Sequence, residues 1–356
     1  MATTTALRAL SLYLIVGICA YAAVPLNPAW MKSDKAFLDN MILSDLTLPG
    51  THDTGTYMLT ERLEEGIAPK WILDVYTALI DLHIAAPYDV IKKWSHTQSY
   101  DVYDQLQRGI RFLDVRVCWD DKTSEFRTLH GLLGDTTINM LKNITQFMDE
   151  NTEEVLVLQF GNFAQFTPDL YTKAIELIKA EIGPLLWLSD TGSPYGFGTY
   201  KEMVSSNKRI VAFFDACDYI NGDPYFFCSQ LLPNRWANND NFTTMEGIVS
   251  DSVVADTGYP NEIYKLQWVL TENAGLIIES VFDLGKYDSL RELSRVANSN
   301  LNKFMERYSA YSINLIMTDF FQETDSVERS RILNRRMCND NPKYRAPLDD
   351  TKNCRY

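Results

Sequence analysis

The chain has 356 residues, of which 46% are apolar, and it carries a formal net charge of -14. This length and apolar content suit one large folded core, and the acidic balance argues against nucleic-acid binding and against adsorption to anionic membranes through a basic surface. Any membrane contact is therefore expected to be transient and local or apolar. We see no internal repeat and no linker, so one domain is expected after the N-terminal segment.

The N-terminal segment has the pattern of a secretory signal peptide. Arg8 precedes an apolar stretch at 9–23 that ends in small residues. A membrane-anchoring helix is the alternative, although the stretch is short for a span. We therefore expect a signal peptide at 1–23, a single domain at 24–356, and secretion or delivery to an endomembrane lumen. Two glycosylation sequons, which chance can also produce, agree with this route, at Asn143 and Asn241.

Five cysteines remain after the signal peptide. Cys217 with Cys228 and Cys338 with Cys354 are close enough in sequence to form disulfides, and the second pair would lie in a C-terminal tail. Cys118 is then left free in its strand. The sequence does not fix this connectivity, because other pairings of the same cysteines are possible.

Apolar and β-branched segments alternate with helical patterns along the chain. One helical pattern, at 136–150, is preceded by Asp135 as a candidate cap. Because strands that alternate with helices form parallel sheets, we expect an α/β fold of the TIM type, a (β/α)8 barrel that is complete or distorted and incomplete. The predicted strands are 41–48, 110–118, 126–129, 155–160, 209–214, 265–270, 275–281 and 313–318. The predicted helices are 136–150, 167–181, 289–308 and 324–336.

The first candidate site residue, His52, follows the first predicted strand and a Pro-Gly turn signal. It should therefore lie at the rim of the sheet, beside Asp53. Taken alone, this pair is a weak motif and fits an ordinary turn histidine. His83 and His96 lack such a setting, so we assign them packing or surface positions without a catalytic role.

Further candidates follow in the next two predicted strands. Asp114 and Arg116 are two residues apart, so both side chains should lie on one face of their strand, with acid and guanidinium side by side. His130 ends the strand predicted at 126–129. Two histidines, an arginine and carboxylates are together sufficient for metal-free acid-base cleavage of a phosphodiester.

In order and combination, these motifs resemble the X domain of phosphatidylinositol-specific phospholipase C. The resemblance spans about residues 41–325. Arg116 stands where calcium-dependent members have an acidic ligand, and Asp53 replaces their asparagine. A fixed guanidinium repels a cation and stabilises phosphoryl oxygens, so the resemblance implies the metal-independent branch, with no metal and no cofactor. The matching segments are 48–53, 105–116, 129–131, 154–158 and 316–321.

The resemblance also implies a role for each residue in cleaving phosphatidylinositol or a glycosyl-phosphatidylinositol. His52 would remove the proton of the inositol 2-hydroxyl, which attacks phosphorus and forms inositol 1,2-cyclic phosphate. His130, sharing the proton with Asp53, would protonate the departing diacylglycerol oxygen. Arg116 would hold the phosphate oxygens, and Asp114 would position the Arg116 guanidinium. Asp319 would orient His52.

Substrate contacts are expected at the same rim. Asp215 ends the strand at 209–214, and Arg235 and Trp236 lie in a later loop, so they are candidate inositol contacts. The aromatic segment at 70–94 is interpreted either as a rim helix that touches lipid or as an insertion packed on the barrel. Two other functions remain open, namely a catalytically weak headgroup-binding module and a related phosphodiesterase with another substrate, whose usual magnesium site would need an acidic cluster.

Overall fold

The computed structural model describes residues 25–189, 196–259, 262–282, 284–341 and 343–344. The predicted signal peptide at 1–23 lies outside the described residues. Cys354 also lies outside them, so the second predicted disulfide stays a prediction. Within the described residues, none of the helices combines the length and the apolar character that crossing a membrane requires.

Nine strands lie within the described residues, namely β1 Leu48–Thr51, β2 Phe112–Asp120, β3 Glu125–His130, β4 Leu132–Thr136, β5 Leu156–Ala164, β6 Ile210–Phe214, β7 Phe227–Cys228, β8 Lys265–Trp268 and β9 Leu315–Thr318. Seven of these strands are parallel and form one curled sheet in the order β7-β6-β5-β2-β1-β9-β8. In the described part of the chain, β7 and β8 are not paired with each other, so the barrel is open between them. The predicted α/β barrel is confirmed in its incomplete form.

The remaining two strands form an antiparallel hairpin outside the parallel order. β2 pairs with β1 at Phe112 and Leu113, and farther along, from Val117 to Asp120, it pairs with β3. β3 then pairs with β4. The segment predicted at 126–129 is therefore a strand, but it belongs to an appendage and not to the wall of the barrel.

Helices cover the outer face of the sheet, and the two faces of β2 show why. Leu113, Val115 and Val117 are buried among helical side chains, whereas Asp114 and Arg116 face the interior of the barrel, as the period of two predicts. The α-helices are α1 Trp30–Ser33, α2 Lys35–Leu38, α3 Lys70–Asp81, α4 Pro87–Ser95, α5 Val102–Gln107, α6 Thr137–Glu150, α7 Pro168–Ile182, α8 Tyr200–Ser205, α9 Phe242–Asp256, α10 Ala274–Val281, α11 Leu290–Asn298, α12 Leu301–Arg307 and α13 Ser326–Asp340.

Several element predictions were wrong. The strand predicted at 275–281 is helix α10, which begins after Asn273, whose side chain accepts a hydrogen bond from the backbone amide of Leu276. A short apolar run fits a buried strand and a helix equally well, and here the cap decides for the helix. The helix predicted at 289–308 is interrupted between α11 and α12, the first predicted strand starts only at Leu48, and α6 is capped by Thr136 and not by Asp135.

The predicted disulfide between Cys217 and Cys228 is present. It joins the segment that follows β6 to the end of β7, where Phe214 and Cys228 are register partners. Cys118 is free and buried in β2, and burial raises the pKa of its thiol to about 12. A thiol with such a pKa stays protonated and unreactive at neutral pH.

Candidate active site

His52 and Asp319 lie side by side because their strands are neighbours. Thr51 and Thr318 are register partners at the ends of β1 and β9, so the next residue of each strand leaves the sheet at the same edge. The His52 Nδ1 atom lies 2.7 Å from the Asp319 Oδ1 atom. The Gln98 side chain fixes this edge by donating to the backbone carbonyls of His52 and Thr318, at 2.9 Å each.

The turn before His52 depends on a glycine and on a left-handed residue. A Cβ on Gly50 would lie 2.8 Å from the Cβ atom of Phe112 on β2, so only glycine lets the two strands approach this closely. Asp53 has a φ of 43° and a ψ of 54°, a conformation that costs free energy for a residue with a side chain. Its backbone amide donates to the Asp114 Oδ2 atom at 3.1 Å, which helps to hold this conformation.

Arg116 connects the carboxylates to the first histidine. Its Nε atom forms an ion pair with Asp53 and lies 3.7 Å from the Asp114 Oδ2 atom. Its Nη2 atom donates to the His52 Nε2 atom over 2.8 Å. Since Nε2 accepts this hydrogen bond, Nδ1 of the neutral ring carries the proton and donates it to Asp319. His52 therefore presents a basic Nε2 atom to the site.

His130 approaches from the opposite side, on the hairpin. It is the last residue of β3, and Gly131, with a φ of 69°, makes the tight turn into β4. Its Nδ1 atom donates to the backbone carbonyl of Ser95, 2.9 Å away. The Nε2 atoms of His52 and His130 each lie 3.3 Å from the Asp53 Oδ2 atom, and the ring centroids are 6.0 Å apart.

The surroundings shift the proton affinities of this site in opposite directions. Burial disfavours a charged imidazole at His52, but the carboxylates of Asp53 and Asp319 outweigh it and raise its pKa above the ordinary value. Burial also disfavours a charged carboxylate at Asp114, but Arg116 and Lys265 outweigh it and lower its pKa. Asp114 is thus ionised beside the guanidinium, and His52 holds a proton more firmly than a free histidine.

A metal ion does not fit these donors. Within the described residues, one group could offer three ligand atoms, from His52, Asp53 and Asp114, all within 4.8 Å of one another. The Arg116 guanidinium already contacts both carboxylates of this group. A cation placed there would meet a fixed positive charge at contact distance, so the carboxylates are matched to the arginine.

His52, Arg116, His130 and Asp319 line a cleft of about 560 Å³, a size typical of small-molecule sites. Its apolar lining residues include Ile67, Ile72 and Leu129. Its polar lining residues include Asn162, Trp236, Asn238, Thr271, Glu272 and Asn273.

The three predicted substrate contacts differ in position. Trp236 lines the cleft, where its indole nitrogen donates to the Thr271 hydroxyl at 2.9 Å. Arg235 is not among the lining residues and pairs with Asp256 on α9 at 2.9 Å. Asp215 is exposed at the end of β6 and accepts a hydrogen bond from the Gln159 side chain.

Sequence reasoning missed two charged residues of the site. Lys265 begins β8 and lies buried inside the barrel, where its Nζ atom donates to the Gln159 Oε1 atom at 2.8 Å. Burial lowers the pKa of Lys265 despite the nearby carboxylates of Asp114 and Asp215. Glu272 lines the cleft on the loop after β8. The sequence offered one signal for these two residues: Lys265 is at the start of the strand predicted at 265–270, and Glu272 lies just past its end.

The two histidines without an assigned role lie outside the cleft. His83 is exposed at the end of α3, 3.4 Å from the carbonyl oxygen of Ile80. His96 packs its ring edge-on against Phe320, with the centroids 5.5 Å apart, and burial lowers its pKa.

The chain is similar to known proteins in sequence and in fold. Residues 82–228 match the PI-PLC X family model. The chain is 28% identical to PI-PLC X domain-containing protein 2 of Mus musculus over 60% of each chain. It is 22% identical to PI-PLC X domain-containing protein 3 of Danio rerio, covering 86% of this chain and 92% of that relative. The chain thus spans about three fifths of the first relative and nearly all of the second.

Solved structures show the same fold at low sequence identity. The phosphatidylinositol-specific phospholipase C from Listeria monocytogenes superposes with a TM-score of 0.59 at 16% identity, over 87% of this chain and 99% of that one. The enzyme from S. aureus gives a TM-score of 0.56 at 15% identity, over 86% and 96% of the two chains. The predicted resemblance is therefore confirmed: residues 82–228 match the PI-PLC X family model, and the chain shares its fold with the bacterial phosphatidylinositol-specific phospholipases C.

Proposed function

We propose that this chain is a metal-independent phosphoric diester lyase that cleaves phosphatidylinositol or a glycosyl-phosphatidylinositol. The products are diacylglycerol and inositol 1,2-cyclic phosphate, or its glycosylated form. One observation carries the proposal: two histidines present their Nε2 atoms to the same oxygen of Asp53, with a guanidinium beside them. A base and an acid on either side of a positive charge are what in-line displacement at a phosphodiester requires.

The first half of the reaction uses His52 as the general base. Its Nε2 atom takes the proton of the inositol 2-hydroxyl while that oxygen attacks phosphorus. Asp319 keeps the ring in the required tautomer through the 2.7 Å contact and stabilises the imidazolium that forms. Arg116, aligned by Asp53 and Asp114, stabilises the charge that builds on the phosphoryl oxygens.

The second half uses His130 as the general acid. It donates the proton of Nε2 to the glycerol oxygen as the bond from phosphorus to that oxygen breaks, and Asp53 shares this proton. The apolar lining residues Leu129 and Ile72 lie next to His130 and Gly131 and suit a diacylglycerol leaving group. In a later step, the two histidines can exchange roles and open the cyclic phosphate with water.

A local membrane contact fits the same proposal. Trp71 and Trp236 line the cleft and remain exposed, by 37% and 55% respectively. Amphipathic aromatic side chains suit the boundary between water and lipid headgroups. The S. aureus enzyme, which has the same fold, binds membranes. We propose that these two side chains touch the bilayer while the headgroup enters the cleft.

Secretion is proposed from two observations. The signal-peptide pattern predicts export, and the disulfide between Cys217 and Cys228 is of a kind that persists in oxidising compartments. Expression of the full chain with a C-terminal tag tests this. Tagged protein in the medium or an endomembrane lumen, processed near residue 23, supports export, whereas an unprocessed cytosolic chain contradicts it.

The test of function is cleavage of phosphatidylinositol in mixed micelles by the purified chain in excess chelator, followed by phosphorus NMR. We expect cyclic phosphate to form, and we expect His52→Ala and His130→Ala to lower the rate by roughly 10²- to 10⁴-fold each. His83→Ala is the matched control because His83 is exposed away from the cleft. Activity that appears only with an added divalent cation would contradict the metal-independent mechanism.

A headgroup-binding module is the second candidate, and the same assay separates it from the enzyme. A binding module predicts no turnover by wild-type protein but saturable binding of inositol phosphate. The complete set of acid, base and guanidinium favours the enzyme, because simple binding does not need two histidines that face one carboxylate oxygen.

A further inference from the structure

Glu272 is a cleft residue for which the proposed reaction has no use. It follows β8 on the loop that leads into α10, and it lines the cleft together with His52, His130 and Asp319. Its side chain is half-buried. Among the described residues, no ion pair or hydrogen bond joins its carboxylate to another side chain.

The surrounding charges leave Glu272 without a counter-ion of its own. The guanidinium that lines the same cleft, Arg116, is paired with Asp53 and lies close to Asp114. The start of α10 is satisfied by the Asn273 side chain, which caps the helix. Of the titratable groups around Glu272, the two histidines and the Arg116 guanidinium favour its ionised form, and Asp319 disfavours it.

These surroundings raise the proton affinity of the Glu272 carboxylate. Burial raises the pKa of Glu272, and the charge of Asp319 adds to this effect against the opposing influence of His130 and His52. A phosphodiester brings another negative charge into the cleft. That charge must raise the proton affinity of Glu272 further, because like charges at short range in a half-buried site interact strongly.

We propose that Glu272 takes up one proton when an anionic phosphodiester enters the cleft and gives it back to water when the product leaves. This inference rests on the proposed function, because it assumes that the cleft binds a phosphodiester. The proton comes from solvent and is held on a carboxylate oxygen. No bond of the substrate changes in this step, so Glu272 sets the charge of the cleft and does not replace His130 as the acid.

The coupling between phosphodiester binding and protonation of Glu272 predicts the direction in which affinity changes with pH. Between the pKa of Glu272 in the free protein and its higher pKa in the complex, binding is accompanied by protonation, so affinity falls as pH rises, by up to about tenfold per pH unit. Glu272→Gln keeps the shape and remains neutral at every pH. Affinity of this variant should lose that part of its pH dependence, whereas Glu279→Gln, on the exposed side of α10, should behave like wild-type protein.

Calorimetry with myo-inositol 1,2-cyclic phosphate tests the proposal. This probe is a monoanionic diester, so it does not itself titrate near neutral pH. Titrations at one pH in several non-phosphate buffers of different ionisation enthalpy give the number of protons taken up. We expect uptake in wild-type protein and in Glu279→Gln, and a loss of most of it in Glu272→Gln.

The outcomes separate this inference from the proposed function. If the cyclic phosphate binds and Glu272→Gln takes up as many protons as wild-type protein, the protons go to the histidines and the role of Glu272 is refuted. If the cyclic phosphate does not bind to wild-type protein at all, the proposed function fails and this inference fails with it. Retained binding by Glu272→Gln also shows that the variant is folded.

Discussion

Asp319 holds the His52 imidazole at 2.7 Å across a sequence separation of 267 residues. The register of β1 against β9 makes this possible, since the two residues follow the register partners Thr51 and Thr318. Among the described residues, the first and last strands thus meet at the proposed catalytic base. The assembly of the base therefore depends on the pairing of β1 with β9.

Asp319→Asn tests the electrostatic part of this contact. The carboxylates of Asp319 and Asp53 raise the pKa of His52 against the effect of burial, and a general base must be unprotonated to act. Removing the charge of Asp319 lowers the pKa of His52. We expect the acidic limb of the kcat/KM profile to move to lower pH while the maximum falls by roughly 10²-fold or more. An unmoved limb would show that His52 is not the group that titrates.

Arg116→Lys tests whether shape matters at the phosphate site as well as charge. The guanidinium contacts Asp53 through Nε and donates to His52 through Nη2, and an ammonium group cannot reach both. We expect the turnover rate to fall by roughly 10²- to 10³-fold. Arg307→Lys, an exposed substitution at a surface ion pair with Glu246, is the matched control. Equal loss in both variants would contradict a specific role for Arg116.

Gly50→Ala tests the close approach of β1 and β2. The added Cβ would lie 2.8 Å from the Phe112 Cβ atom, inside the core, so we expect a loss of about 1–3 kcal/mol in the free energy of unfolding. Gly247→Ala is the control, because a Cβ there meets nothing within 4 Å and lies in helix α9. The control should gain about 0.5–1 kcal/mol. Urea unfolding measures both, and similar effects of the two substitutions would rule out the steric explanation.

The Cys217–Cys228 disulfide closes a short loop, with a sequence separation of 11. Replacing both cysteines by serine should lower the free energy of unfolding by about 3 kcal/mol, mainly because the unfolded chain gains freedom. Urea unfolding with and without a reducing agent measures this. The difference between the variant and wild-type protein should disappear under reducing conditions. A difference that survives reduction would mean that the serines act through lost packing.

The sequence alone was sufficient to predict three central residues of the site. Asp114 and Arg116 follow from the period of two, and His52 follows from a turn signal after an apolar run. Lys265 and Glu272 could not be found in this way, because a single charged residue at the start of a strand or just past its end looks the same whether it points into a barrel or into water. The helix α10 was mistaken for a strand because a short apolar run has no clear period.

The pairing of strands that are distant in the sequence could not be predicted either. The sequence does not show that β3 takes up the edge of β2 beyond the end of β1, nor that the barrel stays open between β7 and β8. Arg235 was expected at the substrate, yet its nearest opposite charge lies on α9. Local partners such as Thr271 for Trp236 and Asp256 for Arg235 decide which of these two neighbouring residues lines the cleft.

The position of His130 on the hairpin separates the two halves of the proposed chemistry. The base, the guanidinium and their carboxylates belong to strands of the barrel or directly follow them, whereas the acid ends a strand that only β2 and β4 hold. A substitution in the hairpin can therefore remove the proton donor and leave the barrel and its phosphate contacts intact. In such a variant, the same cleft would bind a phosphodiester without cleaving it, so a single substitution would convert the proposed phosphodiester lyase into a lipid-binding protein.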